Sequence, residues 1–359
     1  MEREIILNFN SLLLQEDILN DPNANVLVSP YSVIMLLAMM AHSSNGRTRS
    51  EILNAISSDM DISELENMVV ELLDTFTSIS GVNSANAFLI NERLKQDILS
   101  EYRENYKRVF KGNIISSKNL VEDVNAWVKR NTKGMIDRVL KSWNKNTVAC
   151  LINAISFEKK WLKEYDEDDV IEGDFDNADG SVSEVDMLCS NEHSYYEDEV
   201  FCAFAKAYKG NEYSYLAMLP KEESAEVNYL IKEVDISKIY REMKDVKVNV
   251  VIPEYESDYS IDLTSSCKNI GIAEAFTSNA DFSNICEKGL MIDSIFHKAA
   301  IKVDRHGTKA AAVTYSVVTL GLPPEEEIKE IILDRPFIYA IVDNKRGLPL
   351  FIGTVNKIK

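Results

Sequence analysis

The feature that most constrains this chain is an uncharged run towards its C-terminal end. Residues 303–319 read VDRHGTKAAAVTYSVVT, and after Lys309 no charge occurs until Glu325, in a chain with 58 acidic and 39 basic residues. Ala310, Ala311 and Ala312 favour a helix. Thr308, Val313, Thr314, Tyr315, Val317, Val318 and Thr319 are β-branched or aromatic and favour a strand. A segment of such divided propensity is a candidate for a change of conformation, and both readings stand at this point.

The rest of the chain supplies ample core. Its 359 residues suggest about two or three domains on length alone, a soft prior that a single large domain also satisfies. Apolar residues make up 45%, with 13 Gly and 8 Pro, an ordinary globular composition. The net charge of −19 disfavours nucleic acid, an anionic membrane surface or heparin as partner. Cys150, Cys189, Cys202, Cys267 and Cys286 form no CxxC and have no His at metal spacing, so free thiols, no metal and no cofactor are expected. The longest apolar run, 33–41, is too short to span a bilayer. Met1-Glu2-Arg3-Glu4 leads straight into structure-like sequence, with no visible secretory signal.

Apolar spacing predicts helices over 5–18, 31–41, 48–56, 65–76, 96–110 and 120–132. Ser29 suits an N-cap with Pro30 at the first helical position, and Gly134 suits a helix stop. Strands are expected at 84–90, 201–208, 213–219, 246–253, 337–342 and 350–355. The continuous apolar run within 148–161 marks a strand buried on both faces, where Asn153 and Ser156 need partners. The stretch 166–190 reads as acidic and turn-rich, and its Asp166, Glu167, Asp168 and Asp169 as a solvated loop rather than a calcium site. His42 and His193 read as surface residues. Helices lead and strands follow, with no repeat and no flexible linker, so one α+β domain over 1–359 is the simplest organisation.

No GxSxG, GxxxxGK[ST], HExxH or GxGxxG motif is present, and only four histidines occur. A catalytic triad leaves no fixed spacing, so these absences count against catalysis without eliminating it. No enzyme activity is expected.

Over nearly its whole length the chain resembles the serpins, in texture their bacterial secreted branch. The resemblance is carried in order by NVLVSPYS (25–32), NAWV (125–128), TKGMI (132–136), NAISFEKKW (153–161), EGDF (172–175), MLP (218–220), ADFS (280–283) and FHKA (296–299). Gly307-Thr308, Ala310 to Ala312, RPF (335–337) and LFIG (350–353) complete it. It implies a serpin fold of about nine helices and three β-sheets, with a large central sheet A and an exposed reactive-centre loop, here 305–325. The implied function is inhibition of serine proteases by a suicide-substrate mechanism. The target cuts the loop and forms an acyl-enzyme, and the freed loop inserts into sheet A as a new strand. Strand addition and strain release of this kind are general devices.

A strand entering a sheet turns alternate side chains inward. With Thr308 inward, Ala310, Ala312, Thr314, Ser316 and Val318 follow, all small or β-branched, while Lys309 faces solvent. No proline lies between Gly307 and Leu322, so every amide can join a ladder. The hinge is then Gly307, Thr308, Lys309, Ala310, Ala311 and Ala312. Counting from Gly307 as the family does places the scissile bond between Gly321 and Leu322, about 14 residues or roughly 46 Å of strand. Counting back from Arg335-Pro336 lands near Glu325, but insertion length is fixed by the sheet, so the hinge count is preferred. Thr319 and Leu320 are the alternative specificity residues, and such side chains suit an elastase-like, subtilisin-like or chymotrypsin-like pocket rather than a trypsin-like one.

The resemblance further assigns Trp161, Glu254 and Arg305 to the breach at the top of the sheet, and Ser29, Ser32, Asn153 and His297 to a buried shutter. The family has an acidic residue where Arg305 stands and a Lys where Glu254 stands, so both signs are reversed, and the two are expected still to pair. His306 reads as an exposed loop residue. The expected partner is a target serine protease in a covalent complex with a monomer, outside the cell or at its surface if a signal segment precedes this sequence. A cytoplasmic location is the alternative. A non-inhibitory serpin-fold binding protein and a cross-class inhibitor of cysteine proteases are the alternative functions.

Overall fold

The structure, a computed structural model, describes residue 21 and residues 23–78, 81–307 and 328–359. Its first third holds β1 (Val26–Val28), α1 (Pro30–Ser43), α2 (Gly46–Ile56), α3 (Ile62–Ser78), β2 (Val82–Ile90), α4 (Ser100–Phe110), β3 (Asn113–Ile115) and α5 (Leu120–Asn131). Then follow β4 (Ala149–Phe157), β5 (Val170–Asp176), β6 (Val182–Glu197), β7 (Phe201–Ala207), β8 (Tyr213–Pro220), α6 (Val227–Leu230) and α7 (Ile236–Glu242). The remainder comprises β9 (Lys244–Pro253), β10 (Tyr255–Asp262), α8 (Thr264–Asn269), β11 (Ser294–Val303), β12 (Lys329–Ile332), β13 (Phe337–Asp343) and β14 (Leu348–Val355). The helix expected over 5–18 lies outside the described residues.

Local chemistry explains the helix ends. Extended Ser29 accepts the Ser32 N–H on its Oγ at 3.4 Å, with Pro30 opening α1, whose residues are all buried. At the end of α5, Gly134 takes φ +86° and donates its N–H to the Lys129 carbonyl at 2.8 Å.

The chain divides into two compact units, with boundaries that fall inside β1, β10 and β11. The first is built around 28–157 and 258–300. It holds most of a five-stranded sheet in the order β10-β11-β4-β2-β3. All nine residues of β4 are buried, as its continuous apolar run requires. Leu120, Val124, Trp127 and Val128 of α5 belong to one core with Ala87, Leu89, Ile152 and Ala154. The second unit is built around 158–257 and the described part of 301–359. It holds nearly all of a sheet ordered β1-β14-β13-β8-β7-β6-β9-β12, with β5 added on β6.

Three expectations are revised. The described strands form two hydrogen-bonded sheets rather than three, because β6 is 16 residues long. It pairs successively with β5, β9 and β7, fusing what would otherwise be separate sheets. The acidic stretch 166–190 is not turn-rich throughout: β5 and β6 run through it, with Phe175, Met187 and Leu188 buried and Glu172, Asp174 and Glu184 exposed. Charge dominated the composition and hid the strand alternation. His42 is not a surface residue. It is 9% exposed, packs on Tyr102 and Phe110, and sets Nδ1 2.6 Å from Glu66 Oε1, contacts supplied by helices distant in sequence.

Candidate functional site

β11 ends at Val303, and the chain then makes a tight turn over 304–307, the base of the segment with divided propensity. Gly307 donates its N–H to the Asp304 carbonyl at 3.0 Å. The segment after β4 grips this turn. Trp161 donates its indole N–H to Asp304 O at 2.9 Å and its backbone N–H to His306 O at 3.3 Å, and Tyr165 N–H donates to Arg305 O at 3.1 Å. Three successive carbonyls are thereby held. Gly307 has φ +87°, and a Cβ there would sit 2.2 Å from Trp161 N and 2.6 Å from Lys160 Cα. Only glycine fits both the backbone and the space. Trp161 is 1% exposed and stacks on Tyr208 at 4.4 Å with planes 10° apart.

Electrostatics reinforce the grip. Arg305 donates to Glu254 from Nε at 2.9 Å, from Nη2 at 3.3 Å and from its backbone N–H at 2.8 Å, and Nη2 also pairs with Asp186. The hydrogen bond it donates to Glu254, then that to Asp186, push the guanidinium pKa further above its usual range. Burial raises the Asp304 carboxyl. The charge-reversed pair expected from the sequence is therefore formed, with a third member. Asp186 carried no sequence signal, since it reaches Arg305 only through the register that sets β6 beside β9. His306 is half-exposed, with Nδ1 3.6 Å from Glu164 Oε2.

A second constellation lies within the five-stranded sheet, where β4 and β11 are neighbours. His297 on β11 is fully buried, and its Nε2 accepts the Ser29 N–H at 3.2 Å. That nitrogen must be unprotonated, and burial lowers the imidazole pKa to about 3. Asn153 on β4 donates from Nδ2 to Asn86 Oδ1 at 2.7 Å and to Ser84 Oγ at 3.4 Å. Ser29 and His297 thus touch, whereas Asn153 is anchored to β2. Asn86 and Ser84 were missed, although Asn86 stands directly opposite Asn153 in the β2–β4 register. Ser32 is buried beside the cap, and its Oγ has no partner among the described residues.

Thr308, Lys309, Ala310, Ala311, Ala312, Thr319, Leu320, Gly321 and Leu322 lie outside the described residues. Among the described residues no group of three or more His, Cys, Asp or Glu could hold a metal ion, and no helix is long and apolar enough to cross a membrane. What the arrangement does is restrain: it holds the turn over 304–307 at the end of β11.

The family model for serpins (serine protease inhibitors) matches residues 5–358. The chain is 27% identical to plasminogen activator inhibitor 1 of Bos taurus over 372 residues, covering 97% of this chain and 90% of that one. The crystal structure of tengpin, a thermophilic serpin, in the native state superposes with a TM-score of 0.87 at 30% identity, covering 100% of this chain and 95% of that one. Thyroxine-binding globulin in complex with thyroxine shares the fold at a TM-score of 0.86 and 22% identity, each chain being covered fully.

Proposed function

We propose, because this chain belongs to the serpin family, that it inhibits serine proteases as a suicide substrate, with the segment 305–325 as its bait. Members of this family are protease inhibitors and not enzymes. The observation that carries the reading is the adjacency of β4 and β11 in a five-stranded sheet whose β11 leads directly into Gly307. A strand entering between these two would be a continuation of β11 folded back on itself. The sequence from Thr308 onward meets the demands of that position, with small or β-branched side chains at alternate places and no proline to interrupt the ladder.

In this reading the clamp on 304–307 keeps the loop base out of the sheet. Cleavage after Gly321 frees the N-terminal side of the loop while the target is attached as an acyl-enzyme. Insertion then gains a full set of ladder hydrogen bonds and buries Thr308, Ala310, Ala312, Thr314, Ser316 and Val318. Carrying the protease away from its own deacylation geometry leaves the ester trapped. The target has a pocket for small or aliphatic residues, of the elastase, subtilisin or chymotrypsin kind, and the inhibitor acts as a monomer outside the cell or at its surface. Incubation with a panel of such proteases tests this. A complex that survives denaturant, with release of residues 322–359 identified by mass spectrometry, supports it; clean cleavage with no complex in any member overturns it.

A further inference from the structure

A lysine lies buried beneath the clamp. Lys206 of β7 is 3% exposed, in a strand whose other inward residues are apolar. Its Nζ lies 2.7 Å from Glu192 Oε1 on β6 and 3.5 Å from Ser190 Oγ. The same ammonium lies over the Tyr165 ring at 4.5 Å and the Trp161 ring at 5.5 Å. The circuit closes, because Ser190 Oγ donates to Glu192 Oε1 at 2.8 Å and bonds the Tyr165 hydroxyl at 3.3 Å.

Stability alone does not explain this residue. A buried ammonium loses its hydration, and an ion pair inside a protein is often no more stable than apolar residues of the same volume. Burial accordingly lowers the Lys206 pKa, opposed by Glu192. What an ion pair adds over a leucine is direction: the cation is aimed by Glu192, and two aromatic faces are aimed by the cation. Those two rings belong to the residues that grip the turn, Trp161 through His306 O and Asp304 O, and Tyr165 through Arg305 O.

We propose that Lys206, held by Glu192, is a positioning residue for hinge release: it fixes Trp161 and Tyr165 where their N–H groups pin the carbonyls of Asp304, Arg305 and His306. Its consequence for protease trapping rests on the inhibitory reading above; its effect on the clamp does not. An apolar residue at 206 would keep the core filled but let the two rings shift, and the turn over 304–307 would open more often.

Amide hydrogen exchange on the full chain tests this with Lys206→Met and Lys206→Arg. The Met variant is expected to exchange the Trp161 and Tyr165 amides faster by about tenfold, with β8 amides such as Leu216 unchanged, since local opening is independent of global unfolding. The Arg variant, which keeps the charge over the rings, is expected to stay within about twofold of wild type. Equal exchange at Trp161 and Tyr165 in wild type and Lys206→Met overturns the proposal. A uniform rise across β6, β7 and β8 overturns it as well, because it reports lost stability and not lost positioning. Should Lys206→Met fail to fold, Glu192→Gln carries the same expectation and the same reversal. Failure of wild type to trap any protease would defeat the inhibitory reading while leaving the exchange result decisive for Lys206.

Discussion

Arg305 Nε donates to Glu254 Oε1 at 2.9 Å, and the same oxygen accepts the Arg305 backbone N–H at 2.8 Å. The carboxylate therefore fixes both the side chain and the main chain two residues before the hinge glycine. The pair is reversed in sign relative to the charges the family resemblance implies, and the contact is formed here with those reversed charges.

A double-mutant cycle measures that contact. Arg305→Glu sets a third carboxylate beside Glu254 and Asp186, and Glu254→Lys sets two cations together. Each is expected to lower the unfolding free energy. The combination Arg305→Glu with Glu254→Lys is expected to recover most of the loss, with a coupling of about 1 kcal/mol, the upper end for partly exposed pairs. Additive losses in denaturant melts would show that the two charges act independently.

Gly307 permits a simpler substitution. With φ +87° and a virtual Cβ 2.2 Å from Trp161 N, Gly307→Ala cannot be accommodated without moving the turn or the 160–161 backbone. A loss of about 1–3 kcal/mol in the uncleaved protein is expected, seen as a lower melting temperature. An unchanged melting temperature would mean that the turn over 304–307 is not held against Trp161.

His297 makes stability depend on pH. Its imidazole is neutral in the fold, with a pKa lowered by burial from 6.5 to about 3, while the unfolded chain takes up a proton near 6.5. Above pH 6.5 neither state is protonated there and the contribution is complete. Between pH 6.5 and about 3 only the unfolded state gains the proton, so stability falls with acidification. The wild-type slope should exceed that of His297→Gln by up to about 1.4 kcal/mol per pH unit in this window. Identical slopes for the two proteins would contradict the burial of a neutral imidazole.

Much of this was legible in the sequence. Ser29-Pro30 announced the start of α1, Gly134 the end of α5, and the uninterrupted apolar run of β4 its burial on both faces. These are signals that one segment carries by itself. What stayed hidden depends on two segments meeting. Asp186 joins Arg305, and Lys206 meets Trp161 and Tyr165, only once β6, β7 and β9 are in register, and His42 is covered only when α3 and α4 pack over it. The same limit explains β5 and β6: their solvent faces carry the charge that made 166–190 look like loop, while Phe175, Met187 and Leu188 kept the inward alternation. Asn86 could have been found, since it and Asn153 are both polar interruptions in apolar strands, and buried polar groups in neighbouring strands tend to answer one another.

Entry of 308–321 as a strand between β4 and β11 once the loop is cut is measured by thermal unfolding before and after limited proteolysis within 308–327. Insertion adds a ladder on both sides of a new strand, so the cleaved protein should melt at least about 10 °C above the intact one. A cleaved protein that melts at or below the temperature of the intact chain would contradict insertion, and with it the trapping mechanism.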